Sequence, residues 1–198
     1  MATDLHSSAR LPPGHDQASA WQDTALLIRD CIAGNRNAQK YLYNQYAPKA
    51  YAIIRRYTKQ NEIADEILND AFYKIFTKIG SYSGAGSFEG WMRRVIINTV
   101  TDHLRKYIRD QQVYHATEMP EDVYLDDDAV GKMAYKELLA AVHELPDTQR
   151  MVFNLHVFED LKHKEISEAL GITEVNSRWH LNDARRRLKE KINSTMKR

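Results

Sequence analysis

The sequence holds a single cysteine, Cys31, among 198 residues. An internal disulfide is excluded, and so is a zinc cluster built on cysteines. One free thiol fits a reducing compartment and reads most simply as a small apolar core residue. Long apolar runs are missing too, and none approaches the roughly 20 residues of a membrane-spanning helix. The N-terminus lacks an apolar h-region and a cleavage site, so a cytoplasmic chain without membrane insertion is expected. No segment alternates apolar and polar residues as a half-buried strand does. The expected fold class is therefore all-α.

Patterns that carry catalysis are absent as well. The eight histidines form no H-E-x-x-H, and no G-x-S-x-G or Cys/His nucleophile context occurs. The stretch Gly80-Ser81-Tyr82-Ser83-Gly84-Ala85-Gly86-Ser87 has neither a Walker lysine nor a preceding strand, so it is no nucleotide loop. Asp126-Asp127-Asp128 lacks the ligand ring of a calcium loop. His156 and His163, seven apart, read as surface or DNA-proximal side chains rather than as metal ligands. The expectation is no catalytic residue, no metal and no cofactor.

The net charge of +1 conceals a division along the chain. Residues 1–106 carry 14 Lys/Arg against 10 Asp/Glu, or +4; residues 107–130 carry one against seven, or −6; residues 131–198 carry 13 against 10, or +3. Two basic blocks around an acidic connector predict two surfaces for a polyanion.

The C-terminal block has the plainest motif. Glu165 to Leu170 predicts a short helix ended by Gly171, because glycine takes the left-handed conformation of a helix C-cap. Ile172 fills the turn, Thr173 caps the next helix and Glu174 sits in its first turn. Ser177, Leu181, Ala184 and Leu188 then fall on one narrow buried stripe. This is a helix-turn-helix, whose second helix enters the DNA major groove. Arg178, Trp179, Asn182, Arg185 and Arg186 lie off the stripe, which predicts an exposed contact surface. From Gly171 onward, eight Lys/Arg face three Asp/Glu, a net +5 suited to phosphates.

Upstream, residues 1–20 read as a disordered tail. Asp23–Ala33 reads as a helix, followed by a long one from an Asn37 cap to about Tyr57 that Pro48 kinks or divides. A third helix, Asn61–Ile79, gathers Glu62, Asp65, Glu66 and Asp70 in its first half. The glycine-rich loop leads into a fourth, Phe88 to about Tyr107. Residues 108–130 read as a flexible acidic linker. Helices resume near Lys132–Glu144 and about Thr148–Phe158.

The fourth helix, F-E-G-W-M-R-R-V-I-I-N-T-V-T-D-H-L-R-K, resembles the W-x-x-x-I-A-x-N-x-x-x-D-x-x-R pattern of bacterial sigma factors. D-E-I-L-N-D-A-F-Y-K-I-F resembles their D-I-V-Q-E-V-F-L-K-V-F segment, and residues from Leu145 to Ile172 resemble their region 4. This order is similar to that of an extracytoplasmic-function (ECF) sigma factor, which keeps only regions 2 and 4. The resemblance implies two small helical domains, region 2 over 21–107 and region 4 over 131–198, joined by 108–130. It implies that Asp65, Glu66, Asn69, Asp70 and Phe72 dock on the β′ clamp helices of core RNA polymerase, with region 4 meeting the β flap. It implies that the Gly80–Phe88 loop, through Tyr82, Ser83 and Phe88, and Asn98 hold an unstacked −10 base. Arg93, Arg94, Asp102, Arg105 and Lys106 would line the promoter strand, and Asn176, Arg178, Trp179, Asn182, Arg185 and Arg186 would read the −35 element. The chain departs from the family at Val175-Asn176, commonly Gly-Thr, and at Trp179, commonly small. The implied partners are core polymerase, promoter DNA and an anti-sigma factor. A helix-turn-helix regulator acting without polymerase is the alternative, but it leaves residues 60–106 unexplained, and an enzyme with an appended DNA-binding domain lacks a catalytic constellation.

Overall fold

Asp23 opens the first helix: its carboxylate accepts the Ala25 amide at 2.8 Å, and α1 runs Thr24–Ile32. The computed structural model describes residues 19–111 and 135–195. The cap of the next helix is Asn35 rather than Asn37. The Asn35 side-chain oxygen accepts the amides of Asn37 and Ala38, so Asn37 is one of the residues being capped. Helix α2, Arg36–Ile54, continues unbroken through Pro48. The carbonyl that a proline leaves without its amide belongs to Asn44, on the exposed side, where the loss is tolerated.

Helix α3 spans Asn61–Lys78 and passes into a 3-10 turn, Ile79–Ser81, so the glycine-rich loop begins with a regular turn. Gly84 and Gly86 both adopt positive φ. Ser87 Oγ accepts the Gly90 amide and starts α4, Phe88–Gln111. This helix reaches four residues into the segment expected to be linker; the remainder of that segment and most of the expected tail lie outside the described residues. Helices α5 (Tyr135–Glu144), α6 (Asp147–Val157), α7 (His163–Leu170) and α8 (Glu174–Thr195) complete the chain. Every described element is helical, and the class is all-α.

In the N-terminal half, α2, α3 and α4 pack around Leu42, Ile54, Ile67, Ile75 and Val100, all buried. Aromatic pairs Tyr43–Phe72, Phe72–Phe76 and Phe88–Trp91 seal the edges. Cys31 is buried there, and burial raises its thiol pKa to about 11, as expected of an inert apolar filler. In the C-terminal half, α8 lies across α6 and α7, with Met151, Leu155, Ile166, Leu170 and Leu188 buried. Among the described residues, no helix is long and apolar enough to cross a membrane.

Candidate nucleic-acid interface

The helix-turn-helix forms as its residues require. Gly171 takes φ +70°, Thr173 Oγ1 accepts the Asn176 amide, and Ser177, Leu181, Ala184 and Leu188 are all buried. Ring stacking of His156 on His163, centroids 5.0 Å apart, braces the approach. His156 Nδ1 donates to the Leu161 carbonyl, and His163 Nδ1 pairs with Ser177 Oγ at 2.9 Å. Burial depresses the His163 pKa, so the neutral ring is the one that fits. Among the described residues, no group of three or more metal-ligating side chains converges.

Two of the expected readers on α8 sit deeper than their helical angle suggested. Asn182 is only 6% exposed, and Trp179 is half-buried, edge-on to His180. The buried strip is wider than one narrow stripe, taking in His180, Asn182 and Asp183 as well. Arg178 is exposed and paired with Glu174, Arg185 is half-buried, and Asn176 is half-buried. Arg186 is exposed and bonds both Asp183 and Glu190. Val175, which the motif alone did not mark as a contact, stands 57% exposed on the first turn of this helix.

On α3, Asp65, Glu66, Asn69 and Asp70 form one exposed face. Phe72 is not part of it. It is 3% exposed and packed on Tyr43 and Phe76, so it holds the helix in place from beneath. The aromatic on that face is Tyr73, 71% exposed, one position along. Asp70 is bound by His103 of α4 at 2.7 Å.

The expected −10 residues divide. Asn98, Asp102 and Arg105 share a groove of about 300 Å³ with Lys74, Lys78 and Ala169. The two lysines went unremarked in the sequence, although their i,i+4 spacing puts both on the side of α3 that meets α4. Lys74 Nζ lies 3.1 Å from Asp102. Arg94 is exposed; of Lys106, only its place in the α4 backbone is described. Tyr82 donates to the Gly86 carbonyl and holds the loop closed, while Ser83 is exposed. Phe88 is buried against Trp91, so it is a loop anchor rather than a free platform.

Arg93 and Arg105 are turned toward the C-terminal half. Arg93 Nε donates to Glu159 Oε2 at 2.5 Å, and its Nη2 donates to Oε1 at 2.8 Å and to the Phe158 carbonyl at 2.9 Å. Arg105 Nε donates to the Ala169 carbonyl at 2.9 Å. The seam continues with Arg150 Nε on the Tyr57 carbonyl, Asn154 Nδ2 on the Arg56 carbonyl and His143 Nε2 on the Arg55 carbonyl. Helical periodicity could not have shown these bonds, since each joins residues 64 or more apart.

Family comparison agrees with this layout. A family model described as Sigma-70 region 2 matches residues 42–109, and one described as Sigma-70, region 4 matches residues 135–188. The ECF RNA polymerase sigma factor SigM of Bacillus subtilis is 26% identical over 165 residues, covering 77% of this chain and 93% of that protein. The ECF RNA polymerase sigma-E factor of Haemophilus influenzae is 26% identical over 188 residues, covering 88% and 97%. The chain belongs to the ECF group of the sigma-70 family. This sigma factor is thus a transcription initiation factor that binds RNA polymerase, in a family of non-enzymatic proteins. A structure of the sigma factor RpoE with the anti-sigma factor NepR from Bartonella quintana is similar to it at 16% identity and TM-score 0.47, over 78% of this chain and 96% of that one.

Proposed function

We propose that the two halves of this sigma factor divide promoter opening between them. Residues 21–107 act as region 2, residues 131–198 as region 4, and the acidic residues between them as the connector. The exposed α3 face, Asp65, Glu66, Asn69 and Asp70 with Tyr73, docks on the β′ clamp helices of core polymerase. Region 4 engages the β flap and lays α8 in the −35 major groove, where Arg178, Arg185 and Arg186 meet phosphates and base edges and Val175 offers an apolar contact. An anti-sigma factor is the expected inhibitory partner, and the cytoplasm the place of action.

The observation that supports this reading best is the groove shared by Asn98, Asp102, Arg105, Lys74 and Lys78. Lysines and an arginine track a strand electrostatically, while an exposed carboxamide can bond the edge of an unstacked base. Arg105 becomes available there once it releases the Ala169 carbonyl. Run-off transcription with purified core polymerase on a promoter library tests the reading as a whole. Asn98→Ala tests the groove: permanganate footprinting should show open complex reduced about tenfold to a hundredfold, the usual cost of one lost base contact. The defect should vanish on a pre-melted bubble. Equal opening by mutant and wild type would remove Asn98 from the −10 site.

A further inference from the structure

The seam contains a pair of arginines of which its present occupant satisfies only one. Arg93 of α4 takes both oxygens of Glu159, whose side chain is only 7% exposed. Arg56, just beyond α2, converges on the same carboxylate but reaches it only at 4.0 Å. Its Nε is buried without a hydrogen-bond partner. A carboxylate has two oxygens, and a forked guanidinium uses both. Phosphate has more acceptor oxygens in a tetrahedral arrangement and would serve both arginines at once.

The residue beside Glu159 is equally suggestive. The Arg56 guanidinium lies over the Phe158 ring, 4.8 Å from its centroid, the stacking that guanidinium also gives to a nucleobase. Next to the two arginines runs a groove of about 480 Å³ walled by Tyr46, Ile53, Phe72, Met92 and Ile96, with Lys49 at its edge. An aromatic ring on one arginine and an anion on the other, beside an apolar groove whose rim carries the Lys49–Glu89 pair, match the recognition of one unstacked nucleotide. Asp160 follows with φ +54°, a left-handed turn that short polar residues tolerate and that ends the segment presenting this pair.

We infer that the Arg56–Arg93 cleft is a binding site for a nucleotide of the single-stranded promoter DNA, and that Phe158–Glu159 occupies it as a surrogate nucleotide while the two halves are docked. The site lies roughly 140° around α4 from Asn98, so it is a second strand contact and not part of the −10 groove. The inference rests on region 2 handling melted promoter DNA. Strand phosphate and Glu159 then compete for the same guanidinium groups, which couples release of region 4 to strand capture.

The test uses the full chain and a fluorescent single-stranded deoxyoligonucleotide of about 12 residues. Glu159→Gln keeps the shape of the occupant and removes its charge, and should tighten binding by about tenfold, with a steeper salt dependence. Adding Arg56→Gln and Arg93→Gln to that variant should abolish the gain. An abasic oligonucleotide should bind the Glu159→Gln chain more weakly than the intact strand. Titration of the unmodified chain should shift the Arg93 Nε–H resonance in its NMR spectrum, a readout that needs no substitution. Unchanged affinity in Glu159→Gln, a gain that survives loss of both arginines, or an unmoved Arg93 resonance would each overturn the site. Because run-off transcription tests the sigma activity separately, failure here leaves that activity standing.

Discussion

Two kinds of contact hold this molecule, and they behave differently. Inside region 2, helices meet through apolar and aromatic side chains: Phe72 touches Tyr43 and Phe76, and Ile67 and Ile75 are fully buried. Between region 2 and region 4 the apolar core is continuous, and a set of polar bonds is added to it. Arginine, asparagine and histidine side chains bind backbone carbonyls at the end of α2, and Arg93 binds Glu159. Apolar burial is not weakened by charge screening, whereas polar bonds can exchange their partners for water, phosphate or another protein. Region 2 therefore rests on apolar burial, while the seam adds bonds that can be exchanged. Two of the expected promoter contacts, Arg93 and Arg105, are engaged in that seam.

Deleting a core aromatic should break the comparison most severely. Phe72→Ala should lower stability by about 3–5 kcal/mol, read from thermal or denaturant unfolding of the full chain. A cost below about 1 kcal/mol would mean that Phe72 is not the keystone its burial indicates.

Arg150 gives the seam's largest expected effect. Its side chain is 8% exposed, and it bonds the carbonyls of Tyr57 and Leu145 as well as Asp147. Arg150→Met leaves buried acceptors unpaired, and should cost about 2–3 kcal/mol. Increased protease access at the seam, with region 2 still cooperative, should accompany the loss.

Asp183 shows that polar burial within region 4 has its own pH signature. Burial pushes its carboxyl pKa up, but hydrogen bonds from Arg187 and Arg186 outweigh that and hold the group below its ordinary 3.8. A depressed folded pKa means that the stabilisation is complete above the unfolded value and disappears as pH falls from about 4 downward. Asp183→Asn should cost about 1–2 kcal/mol at neutral pH. It should also flatten the acid limb of the region 4 melting curve, which circular dichroism against pH would show.

The smallest effect belongs to Lys49–Glu89, 3.0 Å apart but 67% and 58% exposed. Replacing both by alanine should change stability by no more than about 0.5 kcal/mol, since exposed ion pairs contribute little. A larger shift in unfolding midpoint would show that the groove edge matters more than solvent screening allows.

Much of this was legible in the residues. The spacing of Ser177, Leu181, Ala184 and Leu188 determined which stripe of α8 is buried, and Gly171 determined where the turn falls, because helical periodicity and a left-handed glycine are local properties. The order of apolar helices and charge blocks likewise determined an all-α chain with two basic units. What surrounds a helix is not local. Asn182 is buried although it lies off the apolar stripe of α8, and Phe72 is buried because Tyr43 comes to it from α2. Arg93 and Arg105 looked like free promoter contacts from their place on α4, yet their partners lie 66 and 64 residues away. Only the tertiary structure decided those pairings, since a guanidinium can bond any acceptor that the fold brings within reach, and sequence spacing does not say which one arrives.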